Sequence, residues 1–301
     1  MSGKIIVHIG LPKTATTTLQ IDFFPGFSSM NVHYIGVVQP RSTQQSNVYK
    51  KLTSAVLTGQ YLKEARTELE CLLKCGDTFI LSEEGFSLSN NKTSWQDKFK
   101  YLSEILDGLD YSILITVREP TAAMFSYYVE LRNQFIIGNI EFIDFAKNDE
   151  MMHIFHYKKL MDTVFKYYDQ KRVFAKKFEE IIGGEFEDLV SLITGKIPQN
   201  LGMKINDHNK KNNDDKRVYL ERKVSLGSYI RKKLSFFGFM ESSIVVKSKF
   251  LLIPIMSFLN QVSFSVEDEI LKPSQDDMDN LKEFLREETL ALDKYFGINY
   301  E

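Results

Sequence analysis

Apolar positions in this chain form short β-branched runs separated by stretches of helical spacing. Lys4 to Ile9 (KIIVHI) is almost wholly apolar and stops at Gly10, which predicts a buried strand delivering its C-terminal end to a loop. After the loop GLPKTATTT come Leu19, Phe23 and Phe24, so the chain is expected to enter a helix near Thr16. From Val48 to Leu73 apolar residues recur at Leu52, Val56, Leu62, Leu69 and Leu72 on helical spacing, and Thr78 to Leu81 (TFIL) predicts a second strand. Tyr111 to Val117 (YSILITV) is the clearest strand. It runs into Arg118-Glu119-Pro120, where proline suits the first turn of a helix carrying Met124, Tyr127, Tyr128 and Leu131. Arg172 to Ala175 predicts another strand, with helical sequence following from Phe186 to Ile193. Strands alternating with helices imply an α/β fold: a mostly parallel sheet with helices on both faces.

The last third reads differently. Asn206 to Asp215 (NDHNKKNNDD) is polar, without periodicity, and separates a body of residues 1–200 from a portion of residues 201–301, within a single domain. Phe250 to Val266 is nearly all apolar but is broken by Pro254, Asn260 and Gln261, and it falls short of the roughly 18–20 uncharged residues of a membrane span. Asp276 to Phe296 places Met278, Leu281, Leu285, Leu292 and Tyr295 on one stripe, which predicts a docked final helix.

Composition narrows the class. With 301 residues, 43% of them hydrophobic and 26% charged, the chain can bury a large core without metals or disulfides. The two cysteines, Cys71 and Cys75, stand four apart in helical sequence and are read as packing residues. The opening MSGKIIVHIG lacks the pattern of a signal peptide, so the expectation is a cytoplasmic protein. A net charge of −2 conceals nine Lys/Arg against two Glu between Lys216 and Lys249, and eleven acidic against four basic residues from Glu267 to Glu301. That basic block is compatible with peripheral contact at the inner membrane face through residues 216–266, or with a helical subdomain over an acceptor site; the subdomain is the preferred reading.

The first loop carries the chemistry. A glycine turn followed by a helix start favours a phosphate or sulfate, and GLPKTATTT adds one lysine and four hydroxyls there. A nucleotide-triphosphatase loop would read G-x-x-x-x-G-K-[ST]; here Ala15 replaces the second glycine and Lys13 precedes the threonines. No acidic residue at a strand end is suited to hold Mg²⁺, so no metal is expected.

Gly10-Leu11-Pro12-Lys13-Thr14-Ala15-Thr16-Thr17-Thr18 resembles the 5′-phosphosulfate loop of the sulfotransferases that use 3′-phosphoadenosine 5′-phosphosulfate (PAPS). Arg118, with Ser126 eight positions on and Tyr128 two further, resembles that family's 3′-phosphate motif. The resemblance implies a P-loop-type three-layer fold with helical insertions and a helical C-terminal portion. It also implies a sulfuryl transfer from PAPS that leaves adenosine 3′,5′-bisphosphate. Lys13 would follow charge onto the bridging oxygen, with Thr14, Thr16, Thr17 and loop amides completing the cradle. The acceptor would be a hydroxyl, on a carbohydrate or glycolipid, and no nucleic acid is expected as a partner.

Such a transfer needs a group to take the acceptor's proton. Ser82-Glu83-Glu84-Gly85 at the second strand end offers it. Glu84 matches the bacterial Ser-x-Glu pattern of the family, and Glu83 is the alternative. His8, His33, His153, His156 and His208 show no metal-ligand spacing and are read as structural, with Asn206 and His208 as further contact candidates near the donor. The competing readings are a P-loop kinase, which would need Mg²⁺ and a Gly-Lys-Ser/Thr loop, and a non-catalytic nucleotide-binding module.

Overall fold

The computed structural model describes residues 3–27, 31–90, 92–133, 137, 140–196, 217–225 and 263–300; for 133, 217–225 and 263–269 it describes the backbone. The chain falls into two compact units, one of Met1–Tyr127, Ile143–Lys210 and Asp276–Glu301, the other of Tyr128–Phe142 and Lys211–Gln275.

The first unit is built on five parallel strands: β1 (Lys4–Gly10), β2 (Val32–Tyr34), β3 (Thr78–Ser82), β4 (Tyr111–Val117) and β5 (Val173–Lys177). Their order across the sheet is β2-β3-β1-β4-β5, which puts β1 at the centre. Its neighbours β3 and β4 come much later in the chain, so connections leave β1 toward opposite edges. In an open α/β sheet that reversal opens a crevice at the carboxyl ends of the strands. Four of the five strands follow the sequence pattern; β2 does not. Three residues, with His33 exposed between Val32 and Tyr34, are too few to produce a period.

Residues 5–10 of β1 are all buried, as expected for a strand covered on both faces. On one face Ile6, Ile80 and Leu114 join Leu19, Phe23, Phe24, Phe27 and Phe186 in a core cluster, with Phe23 stacked on Phe186 at 4.4 Å. Ile5, Val7 and Ile9, of opposite parity, are buried as well.

The helices are α1 (Thr16–Thr18), continued by a π turn to Phe23 and a 3₁₀ turn to Phe27, then α2 (Asn47–Thr58), α3 (Leu62–Leu73), α4 (Trp95–Leu106), α5 (Pro120–Asn133), α6 (Phe142–Asn148), α7 (Tyr157–Tyr167), α8 (Phe178–Gly183) and α9 (Glu187–Thr194). The Val48–Leu73 periodicity belongs to two helices. Gly59 at φ 70° and Tyr61 at φ 59° turn the chain between α2 and α3, and apolar spacing survives because each helix buries its own stripe. The final helix is likewise two, Gln275–Phe284 and Arg286–Phe296, parted at Leu285, whose side chain is buried in the core.

Two further expectations are corrected. Cys71 and Cys75 are both exposed, because α3 buries Ala65, Leu69 and Leu73 and leaves the cysteine edge to solvent. The C-terminal portion is not all helical: in the second unit β6 (Arg217–Ser225) and β7 (Ser263–Leu271) pair antiparallel, with Val218 opposite Ile270 and Val224 opposite Phe264. Val218, Leu220 and Val224, like Phe264, Val266 and Ile270, recur at even spacing, a period-two signal masked by the surrounding charges. The apolar stretch over residues 250–262 lies outside the described residues.

Candidate functional site

Three strand ends meet at the carboxyl edge of the sheet: Gly10 of β1, Ser82 of β3 and Val117 of β4, with Gly10 paired to Thr116 and His8 to Ser82. Each is followed by residues singled out in the sequence. After β1 the chain must turn sharply into α1. A Cβ on Gly10 would lie 2.1 Å from Thr16 Cγ2, so only glycine allows the helix start to close onto the strand end. Lys13 and Ala15 take left-handed φ values of 64° and 66°, a conformation that non-glycine residues hold only when surroundings fix it.

The fixing contacts are visible. Buried Thr14 donates its hydroxyl proton to Leu11 O at 2.7 Å and shares a 2.6 Å hydrogen bond with Thr116 Oγ1 of β4. Its side chain is thus committed to the loop's own shape. Arg118 Nη1 donates to Lys13 O at 3.3 Å. Pro12, Thr16 and Thr18 are buried, whereas Lys13, Ala15 and Thr17 are half-exposed.

The two glutamates after β3 part company. Glu83 is 3% exposed and accepts from both Arg41 Nη atoms at 3.0 and 3.1 Å, from the Gly85 N–H at 2.6 Å and from the Tyr49 hydroxyl. Burial, then Glu83's charge, pushes the Tyr49 phenol up; the bidentate pair with Glu83 raises Arg41 against the effect of its burial. Glu84, half-exposed, accepts from Thr16 Oγ1 at 3.0 Å and so faces the first loop. Beneath this turn Lys98, 2% exposed, donates to Gly85 O at 3.0 Å and to Leu88 O, and burial lowers its ammonium to about 8.

After β4, Arg118 is held on three sides. The Tyr157 hydroxyl donates to Arg118 O at 2.6 Å and accepts from Arg118 N–H at 3.2 Å. The guanidinium lies 4.2 Å over the Phe178 ring. Desolvation lowers its pKa, opposed by Glu179 and Glu119. The first amides of α5 are already taken, since Glu119 accepts from Thr121 N at 3.2 Å and Ala122 N at 2.7 Å. An anion beside Arg118 would therefore rely on that side chain rather than on the helix start. Ser126 is half-buried two turns along α5, and Tyr128 donates to Ile140 O at 2.6 Å. The chain's C-terminal end closes this flank: Tyr300 donates to Glu179 Oε2 at 3.4 Å and lies 5.1 Å from Lys177 Nζ.

Arg41, Tyr49, Lys98, Tyr157 and Phe178 were not legible in the sequence as site residues, because each reaches the strand ends from a separate element with no shared spacing. Asn206 and His208 lie outside the described residues.

The sequence matches no protein-family model and no curated protein. Among solved structures the chain is similar to a sulfotransferase from Alicyclobacillus acidocaldarius, with 12% identity, over 100% of this chain and 97% of that one, at a TM-score of 0.48. It is also similar to retinol dehydratase in a complex with retinol and PAP, with 10% identity over 99% and 83% of the two chains and a TM-score of 0.34. A third likeness is to thymidylate kinase from Candida albicans, with 12% identity over 66% and 96% and a TM-score of 0.32. These likenesses are too distant for function to be read from them, so function rests on the site.

Proposed function

We propose that the chain is a PAPS-dependent sulfotransferase acting on a hydroxyl acceptor, on a carbohydrate or glycolipid. The observation that supports this most is that the Arg118 guanidinium donates to the main-chain carbonyl of Lys13, more than a hundred residues away in sequence, while Glu84 accepts from Thr16 at the end of the same loop. Two cations and a carboxylate at adjoining strand ends suit a donor with negative charge at both its 5′ and 3′ positions.

In this reading Lys13 and the loop amides hold the 5′-phosphosulfate, while Arg118 and Ser126 hold the 3′-phosphate. Glu84 takes the acceptor O–H proton as the new O–S bond forms. The S–O bond to the 5′-phosphate breaks, and Lys13 stabilises the charge left on the phosphate oxygen. Sulfated acceptor and adenosine 3′,5′-bisphosphate leave, with the proton on Glu84.

The test is a thermal-shift titration with adenosine 3′,5′-bisphosphate against ATP plus Mg²⁺, since a ligand stabilises according to its occupancy of the native state. Stabilisation by the bisphosphate is expected. Stabilisation by ATP plus Mg²⁺ alone would turn the reading toward a P-loop kinase. In sulfuryl-transfer assays Lys13→Ala should lower turnover more than bisphosphate affinity, and an unchanged rate would remove Lys13 from the mechanism.

A further inference from the structure

Beneath the first loop, His8, Ser82 and Thr116 of three adjacent strands join Thr14, Gln20 and Gln39 in one chain of hydrogen bonds. Gln39 Nε2 donates to Gln20 Oε1 at 2.9 Å, and Gln20 Nε2 donates to Ser82 Oγ at 3.0 Å. Ser82 Oγ lies 2.8 Å from His8 Nδ1, and His8 Nε2 lies 3.4 Å from Thr116 Oγ1. Thr116 Oγ1 lies 2.6 Å from Thr14 Oγ1, which donates to Leu11 O at 2.7 Å. His8, Ser82, Thr14 and Thr116 are all fully buried, so water cannot replace a missing partner.

The carbonyl at one end orders the donors as far as His8. Leu11 O can only accept, so the single hydroxyl proton of Thr14 points at it. The 2.6 Å contact then needs the proton of Thr116, which leaves Thr116 only lone pairs to offer His8. A bare Nε2 there would set two lone pairs against each other. Nε2 therefore carries hydrogen; in a ring that burial keeps neutral, Nδ1 is bare and accepts from Ser82 Oγ–H, and Ser82 in turn accepts from Gln20. All donations run toward the loop.

We infer that His8 is a positioning residue for the loop Leu11–Ala15, acting as the neutral Nε2–H tautomer that orients Thr116 and, through it, Thr14. Its surroundings suit a neutral ring: besides the two hydroxyls it meets the Phe24 ring, at 5.3 Å, and no charged group among the described residues is bonded to it. Burial holds its pKa down at about 3. The left-handed turns at Lys13 and Ala15 flank the residue this relay anchors, so the relay supplies part of what keeps them in place. Its consequence for a bound donor rests on the function proposed above; the tautomer and the loop's rigidity do not.

The tautomer is read directly from ¹⁵N shifts of the histidine ring nitrogens in the labelled wild-type protein. A protonated Nε2 and bare Nδ1 for His8, unchanged between pH 5 and 8, is expected; an Nδ1–H tautomer or an imidazolium in that range would overturn the inference. Loop amide exchange is compared in Thr116→Val, which removes the relay's hydroxyl, and Thr116→Ser, which keeps it. Thr116→Val should exchange about fivefold faster over residues 11–16 than the fall in its global melt accounts for, as for loss of one local hydrogen bond, with Thr116→Ser close to wild type. Equal loop exchange in all three proteins would also overturn it. Both expected results in a wild-type protein that fails to bind adenosine 3′,5′-bisphosphate would support the positioning role and sink only the sulfotransferase reading.

Discussion

Neighbouring side chains at the end of β3 have divided their duties by partner. Glu83 is neutralised by Arg41 and spends its oxygens on Tyr49 and a backbone amide, whereas Glu84 is half-exposed and accepts from a threonine of the first loop. Glu84→Gln is therefore expected to abolish transfer while adenosine 3′,5′-bisphosphate still binds and the melt barely moves. Glu83→Gln should cost about 1–3 kcal/mol of stability, because it breaks charged hydrogen bonds around a buried group. Full activity of Glu84→Gln would return the base to another residue. His8 makes a second prediction at this scale. Its folded pKa, near 3, lies below the ordinary histidine value of 6.5, so the unfolded chain binds the extra proton between those values. Stability from neutral His8 is full above pH 6.5 and is lost as pH falls toward 3. Urea melts of wild type and His8→Gln at pH 7.5 and 4.5 should show a smaller advantage for wild type at the lower pH. An advantage independent of pH would refute the assignment. The SEE run and the loop lysine were legible at this scale; the choice between the glutamates was not, since it depends on Arg41 arriving from forty residues away in sequence.

Among the elements, the strand–loop–helix unit at β1 depends on a close approach. Gly10→Ala would place its methyl group inside the van der Waals envelope of Thr16 and is expected to cost about 1–3 kcal/mol and to disorder the loop, read as a lowered melt together with weakened bisphosphate binding. Wild-type affinity in that variant would show that the loop shape does not matter. At α5, Glu119→Ala removes the carboxylate that caps the first amides and should destabilise by about 1 kcal/mol, measured by chemical melts. Element type was largely readable from periodicity. Boundaries were not: Gly59 and Leu285 break patterns that remain helical on both sides, because the interruption changes direction without changing which residues are apolar.

Over the whole molecule, the central place of β1 explains why distant segments meet at one end of the sheet. The strand order carries β3 to one side and β4 to the other, so Glu84 and Arg118 flank the same loop. In the second unit the antiparallel pair β6/β7 brackets the apolar stretch of residues 250–262 in sequence. Among the described residues no helix is long and apolar enough to cross a membrane. Peripheral attachment through residues 216–266 is tested by floating the protein on liposomes containing anionic lipid, with and without that segment. Flotation that is lost with the segment is expected if the nine basic residues meet headgroups, and no flotation of the full chain would end the membrane reading.

What the sequence alone determined was local: short buried runs ending in a glycine loop, an Arg–x₇–Ser spacing after a second run, and alternation of strand and helix, all encoded by residues close in the chain. The tertiary structure decided what depends on pairing between distant segments. It set which strands flank β1, turned Glu83 inward and Glu84 toward the loop, brought Tyr157 and Phe178 to Arg118, and gave His8 a proton on one nitrogen, because strand order and burial, unlike periodicity, are properties of the whole fold.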